Sequence, residues 1–403
     1  MAKLEMNIIH PHAAGIDIGS RSHFVAVGQG EKDVQEFGVY ADGLVGICEH
    51  LKAHHITHVA MESTGSYWQN LYVELCRYGF EVTLCNGKFT KNIKGKKTDV
   101  KDARWIEKLH TIGLLSGSFL PDETTEILRT YCRQRMNWLQ QSVEATYKMQ
   151  KYLKLLNFRL DVVVRDVCGL TGLAIIEDIC KGNLDPQALA KHRHFNCRKS
   201  EEEIAKALKG NNRKDYLFGL KQDFESYQFC QKKIAECDRQ INAFLKEQIN
   251  TSAVKKKLST TTKTHKRQNK NSVKRIDLNQ AAYQYFEGVD LMQIEGVSHS
   301  TILSLMSEIG PEGFKKFETA KQFASWLRLA PNNIKTGGKI ISNIVPKGSN
   351  RLKMLFGKLP MPLVISRTRT WQTSLKRCYT EKAERQRSVP PPGSWASSSG
   401  TWW

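Results

Sequence analysis

Residues 13–40 contain three short apolar runs in close succession, AAGIDI (13–18), HFVAVG (23–28) and VQEFGVY (34–40). Runs of this length and composition, separated by polar or glycine-containing turns, predict three consecutive strands. Further along, the pattern predicts helices near 44–54 and 67–78, each followed by a strand, HVAMES (58–63) and FEVTLCN (80–86), and then a helix from about Asp99. Three strands followed by alternating strands and helices indicate an α/β domain with a mixed sheet.

We therefore predict that residues 1–120 form one domain, and an RNase H-like (resolvase-like) fold has this order of elements. Residues 121–250 carry long helical periods, typical of an antiparallel helical hairpin or coiled coil. That region could be an internal bundle or an oligomerisation arm.

Three further regions are predicted toward the C-terminus. Between Lys255 and Arg275 there are nine Lys or Arg residues and no acidic residue, which predicts a basic linker over 251–280. Residues 281–355 predict a small, mainly helical domain, with a helix-hairpin-helix-like turn at Glu295–Ser298. Residues 356–403 form an atypical tail without a sustained period.

The charge balance favours a polyanionic partner. The chain has 403 residues and a formal net charge of +21, which favours nucleic acid through counterion release. There is no signal pattern and no apolar run of about 18 residues, so we expect a soluble, cytoplasmic protein without a membrane partner. The ten cysteines form no CxxC pair, and we expect reduced thiols rather than zinc ligands or disulfides.

Four carboxylates form a candidate metal site. Asp17 ends the first predicted strand and Glu62 ends the fourth, where parallel strands would bring their carboxyl ends together. Asp99 and Asp102 are three residues apart, on one face of the predicted helix. Clustered carboxylates repel one another without a cation, and Mg²⁺ prefers oxygen ligands and can bridge to phosphate. Alternatively, Asp99 caps the helix, Asp102 supports its dipole, and Glu62 is a solvated strand end.

Basic residues surround the last two carboxylates. We predict that they bind the nucleic-acid backbone while the carboxylates bind metal. They are Lys94, Lys96, Lys97, Lys101 and Arg104.

The motifs GIDIGS, MESTGSYW, KTDVKDAR, LAPNNIKTGGK and PKGSNRLK together resemble the transposases of the insertion-sequence one-ten family, in its eleven-eleven subgroup. The resemblance covers about residues 10–355. It implies an RNase H-like domain with an Asp-Glu-Asp-Asp tetrad, a coiled-coil arm and a C-terminal transposase domain with a nucleophilic serine. It also implies recombination of element ends and target DNA through a covalent phosphoserine, guidance by a bridge RNA, and assembly as a homo-oligomer, a dimer or a tetramer.

Carried across by position, the tetrad is Asp17, Glu62, Asp99 and Asp102. The position of the family's serine is occupied by Thr336, so the nucleophile is Thr336, or Ser342 substitutes for it, or the site has decayed.

Residues near Thr336 are predicted to hold a phosphate, with the two glycines allowing close backbone approach or forming a plain turn. They are Gly337, Gly338, Lys339, Lys347 and Arg351. The tail lacks the Ala- and Leu-rich helices of the family, which suggests a frameshift near Phe356.

Three other functions stay open at this point. A metal-dependent nuclease or junction resolvase would use the tetrad and water alone. GIDIGS also resembles the first phosphate loop of actin-like ATPases and sugar kinases, but a second glycine-rich phosphate loop is missing from the sequence. A noncatalytic remnant would fold and bind its RNA without strand transfer.

Overall fold

The structure is a computed structural model, which describes residues 7–63, 65–87, 98–251, 271–293, 297–345 and 351–356. The chain divides into two compact units, Met1–Leu120 and Pro121–Trp403, and each is described separately. Within the described ranges, no helix combines the length and the apolar character needed to cross a membrane.

The first unit contains a five-stranded mixed sheet. Its strands are β1 (Ala13–Ile18), β2 (Ser22–Ala26), β3 (Val34–Gly38), β4 (His58–Glu62) and β5 (Glu81–Cys85). The strand order is β3-β2-β1-β4-β5, with β1, β2 and β3 antiparallel in succession and β4 and β5 parallel to β1. The mixed α/β sheet predicted from the sequence is confirmed. The RNase H-like fold stays a prediction.

Three helices cover the two faces of this sheet. They are α1 (Ala41–Ala53), α2 (Trp68–Arg77) and α3 (Asp99–Thr111). Ile16 of β1 packs in one core with Ile47 of α1 and Leu71 of α2, so these two helices share a face. Gly15 lies against the backbone of α3 instead. Because neighbouring residues in a strand point to opposite faces, α3 covers the other side of the sheet.

The second unit begins with six helices, of which the first and last are long. They are α4 (Glu123–Leu155), α5 (Leu160–Val163), α6 (Leu170–Cys180), α7 (Pro186–Ala190), α8 (Glu201–Ala207) and α9 (Lys214–Thr251). The buried side chains of Arg135 and Asp238 join α4 to α9 through a 2.5 Å contact between Arg135 Nε and Asp238 Oδ1. Ser142 accepts a hydrogen bond from Gln231 at 2.8 Å. Since the partner number falls as the α4 number rises, the two long helices pack antiparallel.

The short helices α5–α8 form an insertion between α4 and α9. They share one hydrophobic core with the C-terminal half of α4 and the N-terminal half of α9. Phe158, Ile175, Leu189 and Ile204 are buried in this core. The pattern of long helices therefore corresponds to an antiparallel pair that carries a small helical insertion. Its role as an oligomerisation arm stays a prediction.

The predicted basic linker, residues 251–280, lies only partly within the described ranges. Helix α9 continues to Thr251, and residues 252–270 lie outside the described ranges. From Asn271 onward the chain is packed, because the Asn271 carbonyl accepts a hydrogen bond from Arg135 and Val273 is buried. Arg135, which is paired with Asp238, thus holds the chain at Asn271 within the predicted linker.

The C-terminal part of the second unit combines helices with a hairpin that was not predicted. The elements are α10 (Leu278–Tyr285), α11 (His299–Glu308), α12 (Gly310–Lys315), α13 (Ala320–Trp326), β6 (Asn332–Thr336), β7 (Lys339–Ile344) and α14 (Arg351–Phe356). Ser298 is the N-cap of α11 and accepts a hydrogen bond from Thr301 N. Residues 294–296 of the predicted helix-hairpin-helix turn lie outside the described ranges.

Candidate active site

Asp17 and Glu62 lie at the same level on neighbouring parallel strands. The register pairs Ile16 with Met61, so the next residues, Asp17 and Glu62, follow side by side at the carboxyl ends of β1 and β4. Adjacent strands are about 4.8 Å apart, and residues paired in a sheet project from the same face. Both residues are half-buried. This arrangement places two carboxylates together where the parallel strands end, which we call the carboxyl edge of the sheet.

Helix α3 runs antiparallel to β1. Its last residue, Thr111, accepts hydrogen bonds from the backbone of Ile9 (2.8 Å) and His10 (3.1 Å), just before β1 begins. In its middle, the backbone of Ala103 and Glu107 lies so close to Gly15 that a β-carbon there would not fit. The N-terminus of α3 therefore lies at the carboxyl end of β1, on the face from which Asp17 projects.

Asp99 and Asp102 occupy the first turn of α3. The N-cap is Thr98, whose side chain accepts a hydrogen bond from Lys101 N, so the alternative in which Asp99 caps the helix is wrong. Asp99 is exposed and Asp102 is half-buried. The direction of α3 brings both residues to the edge of the sheet that carries Asp17 and Glu62.

The four side chains do not form a closed metal site. Among the residues that the structure describes, no three His, Cys, Asp or Glu side chains are grouped closely enough to hold a metal ion. The donor set nevertheless suits Mg²⁺, since all four residues offer carboxylate oxygens. For one of them the chain leaves room, because Glu62 lies against the α-carbon of Gly87, in space that a β-carbon would fill.

Glu107 shows what a structural carboxylate looks like in the same helix. It is buried between α3 and the sheet, and it accepts hydrogen bonds from Gln29 Nε2 and, at 2.9 Å, from Thr111 Oγ1. Its oxygens are satisfied by neighbours within the unit. Glu107 therefore stabilises the packing of α3 and is not a candidate ligand.

Two predicted nucleic-acid-binding residues near the carboxylates can be placed. Lys101 is exposed in the first turn of α3, and Arg104 is half-buried in the second. Lys94, Lys96 and Lys97 lie outside the described residues. The structure adds Arg21, which is exposed in the turn between β1 and β2 at the carboxyl end of β1. Sequence analysis missed Arg21 because no motif marks it; only the position of the turn would have indicated it.

Thr336 ends strand β6 of the hairpin and is exposed. Gly337 and Gly338 have φ values of +57° and +77°, so they form a two-residue turn of the kind that requires positive φ at both positions. A β-carbon would meet no atom within 4 Å at either glycine, so conformation rather than space demands them. The two glycines therefore have a structural role as the hairpin turn; their contact with phosphate stays a prediction.

The hairpin register places two of the remaining candidates, Lys339 and Ser342, on the same face as Thr336. Thr336 pairs with Lys339, which is exposed, and side chains of paired residues lie on the same face. Ser342 pairs with Ile334, two residues before Thr336, so it belongs to that face as well, and a bulge interrupts the register between them. Arg351 is exposed at the start of α14, and Lys347 lies outside the described residues.

Two transposase family models match this chain, one in its N-terminal part and one in its C-terminal part. A transposase model named for the DEDD tetrad and the insertion sequence IS110 matches residues 14–158. A second model, described as the transposase IS116/IS110/IS902 family, matches residues 290–375. No curated protein matches the chain significantly.

A mixed sheet with carboxylates at its edge, together with these matches, defines the chain as an insertion-sequence transposase. It belongs to the IS110 family, as the sequence motifs predicted. The family supports DNA recombination and DNA binding. The second match extends past Phe356 to residue 375. A frameshift near Phe356 stays a prediction.

Proposed function

We propose that this chain catalyses Mg²⁺-dependent cleavage and exchange of DNA strands through a hydroxyl nucleophile, guided by a bridge RNA. One observation carries the proposal: Asp17 and Glu62 lie side by side at the carboxyl ends of β1 and β4, and the N-terminus of α3 lies at the same end of the sheet. Such an edge is where α/β folds build ligand sites. The net charge of +21 supports the nucleic-acid partner.

The carboxylates would hold the metal, and the basic residues would hold the DNA. Asp17, Glu62, Asp99 and Asp102 offer oxygen ligands for Mg²⁺. When bound, Mg²⁺ supplies Lewis acidity that stabilises the charge developing on a phosphate. Lys101, Arg21 and the N-terminal dipole of α3 place positive potential at this edge, which attracts the phosphodiester backbone.

The nucleophile is the hydroxyl of Thr336, at the exposed end of β6. Its oxygen attacks phosphorus, the new bond joins that oxygen to the DNA phosphate, and the deoxyribose oxygen leaves and takes up a proton. Lys339, opposite Thr336 in the hairpin, is suited to hold the phosphate. The hydroxyl proton passes to a base that is not assigned. Ser342, on the same face of the hairpin, is the second candidate.

The proposed partners of this chain are the DNA ends of the element, target DNA and a bridge RNA. The chain acts as a homo-oligomer, a dimer or a tetramer, on DNA in the bacterial cytoplasm. The family matches carry the DNA part of this statement. The RNA, the subgroup and the oligomer rest on the resemblance of the motifs.

A denaturing gel of reactions with the junction DNA of the element and its flanking RNA tests the proposal. We expect a Mg²⁺-dependent covalent protein–DNA adduct that mass spectrometry maps to Thr336 or Ser342. Free cleaved ends without an adduct would instead indicate a nuclease. Binding without cleavage, with or without Mg²⁺, would indicate a noncatalytic remnant.

A further inference from the structure

Two large aromatic side chains lie exposed at the edge of the sheet that carries the carboxylates. Tyr67 is 52% exposed and Tyr40 is 82% exposed. Tyr40 follows β3 and is the N-cap of α1, and Tyr67 follows β4 and is the N-cap of α2. Since β1, β3 and β4 are parallel to one another, the ends of β3 and β4 lie at the same edge as Asp17.

Tyr67 is close to the carboxylates along the chain. It lies five positions after Glu62, which limits the distance between their α-carbons to about 17 Å. Local contacts shape residues 65–67, just before α2: Gly65 has φ +56°, its carbonyl accepts a hydrogen bond from Trp68 Nε1 at 3.2 Å, and the Tyr67 ring lies next to its α-carbon. The exposed ring thus belongs to a structured turn at the start of α2.

The neighbouring aromatic residue, Trp68, packs into the core, in contrast to the exposed Tyr67. Trp68 packs against the hydrophobic core and makes an edge-to-face contact with Tyr72, with ring centroids 5.8 Å apart. Trp68 therefore has a structural role in the core, whereas about half of Tyr67 stays exposed beside Gly65. An exposed aromatic ring among cations is the combination that binds single-stranded nucleic acid, by stacking on bases while the cations contact the backbone.

The cations are present at the same edge. Arg21 lies in the turn between β1 and β2, and Lys101 lies in the first turn of α3. We propose that Tyr67, with Tyr40 as the outer member, is a stacking platform for an unpaired base of the nucleic-acid strand that the carboxylate edge holds. This inference rests on the proposed function for the position of the strand, and it adds a recognition element that the family motifs do not assign.

Binding and photocrosslinking without metal test the platform directly. The probes are a 20-nucleotide single-stranded DNA that contains 5-iodouracil, its RNA counterpart and a duplex of the same sequence. They are used in EDTA at about 0.3 M salt to suppress nonspecific contacts. We expect Tyr67→Leu to weaken single-strand binding by about 5- to 100-fold, the effect of losing one stacked base, and to leave duplex binding unchanged. Tyr67→Trp should retain binding, and the wild-type crosslink should map to Tyr67.

Two controls separate the platform from other causes. Tyr147→Leu removes an exposed tyrosine of α4 and should bind like wild type. The thermal midpoint of Tyr67→Leu should stay within about 2 °C of wild type, as for other surface substitutions. Loss of binding to DNA alone, to RNA alone or to both supports the platform and identifies the strand.

Unchanged single-strand binding by Tyr67→Leu, or a crosslink that maps away from Tyr67 and Tyr40, would overturn the inference. Because no metal is used, the result is independent of catalysis. A stacking effect in a protein that forms no adduct would refute the proposed function and keep the platform. If the wild-type protein forms an adduct and its Tyr67→Leu variant binds single strands normally, the proposed function is supported and the platform is refuted.

Discussion

Glu62 lies against the α-carbon of Gly87, so closely that a β-carbon at Gly87 would stand less than 3.0 Å from the carboxylate. Glu62 is the last residue of β4, and Gly87 follows β5, its neighbour in the sheet. The absence of a side chain at position 87 therefore determines where one of the four carboxylates can lie.

Gly87→Ala should impair catalysis more than stability. The added methyl group displaces the flexible end of Glu62, and a shift of about 1 Å in a catalytic group can reduce the rate by about 10- to 100-fold. We expect adduct formation to fall by that factor and the free energy of unfolding to change by less than about 1 kcal/mol. Gly117→Ala is the control, since its β-carbon would meet only ordinary contacts. Equal adduct yields for both variants would contradict the role of Gly87.

Gly15→Ala should destabilise the first unit. Here the added β-carbon meets the backbone of Ala103 and Glu107, which cannot move without displacing α3 from the sheet. Overpacking of this kind costs about 1–3 kcal/mol or more. Thermal unfolding of Gly15→Ala should therefore shift clearly downward, whereas Gly38→Ala, whose β-carbon would meet open space, should change little. Equal stabilities would show that α3 does not pack closely on β1.

The stability of the first unit should fall as the pH is lowered from about 6.5 to 4. His110 is buried and stacks on His10 at 4.7 Å, with the ring of His58 at 6.4 Å. Burial, with smaller contributions from His10 and His58, lowers the pKa of His110 to about 4. In the unfolded state His110 binds a proton below about pH 6.5, whereas in the folded state it stays neutral down to about pH 4. The stability contributed by neutral His110 is therefore fully present above pH 6.5 and declines below it.

The loss by pH 4 should be on the order of 3 kcal/mol, at 1.36 kcal/mol for each pH unit. Glu81, whose Oε2 lies 3.3 Å from His58 Nε2, is an acidic partner of the cluster. His110→Phe keeps a stacked ring and removes the titration, so its thermal midpoint should depend less on pH. His12→Gln, an exposed position, should retain the wild-type slope. Parallel pH profiles for wild type and His110→Phe would refute this explanation.

Thr336→Ser should accelerate adduct formation. Both residues supply a hydroxyl, but the methyl group of threonine restricts the rotamer and crowds the approach to phosphorus. An unfavourable rotamer costs about 0.5–1.5 kcal/mol, which corresponds to about 2- to 10-fold in rate. Thr336→Ala should abolish the adduct, and Ser342→Ala should not. The reverse pattern would identify Ser342 as the nucleophile.

The sheet was predictable because its determinants are local. Short apolar runs and the turns between them indicate β1–β5, and the rule for parallel strand ends places Asp17 and Glu62 at one edge. The hairpin β6–β7 was missed because NNIKT is a polar strand without an apolar face; the Gly-Gly pair after Thr336 was the available signal. Contacts between distant segments, such as Glu62 with Gly87, have no counterpart in sequence periodicity.

The central claim is that the carboxylates at the sheet edge drive metal-dependent strand cleavage. The most direct test compares adduct yield against Mg²⁺ concentration for wild type, Asp17→Asn and Asp42→Asn. Asp42 is an exposed carboxylate in the first turn of α1, at the same edge but on the other face of the sheet. We predict that Asp17→Asn loses about 1000-fold or more in adduct formation while it still binds RNA, and that Asp42→Asn reacts like wild type. Normal adduct formation by Asp17→Asn would contradict the account.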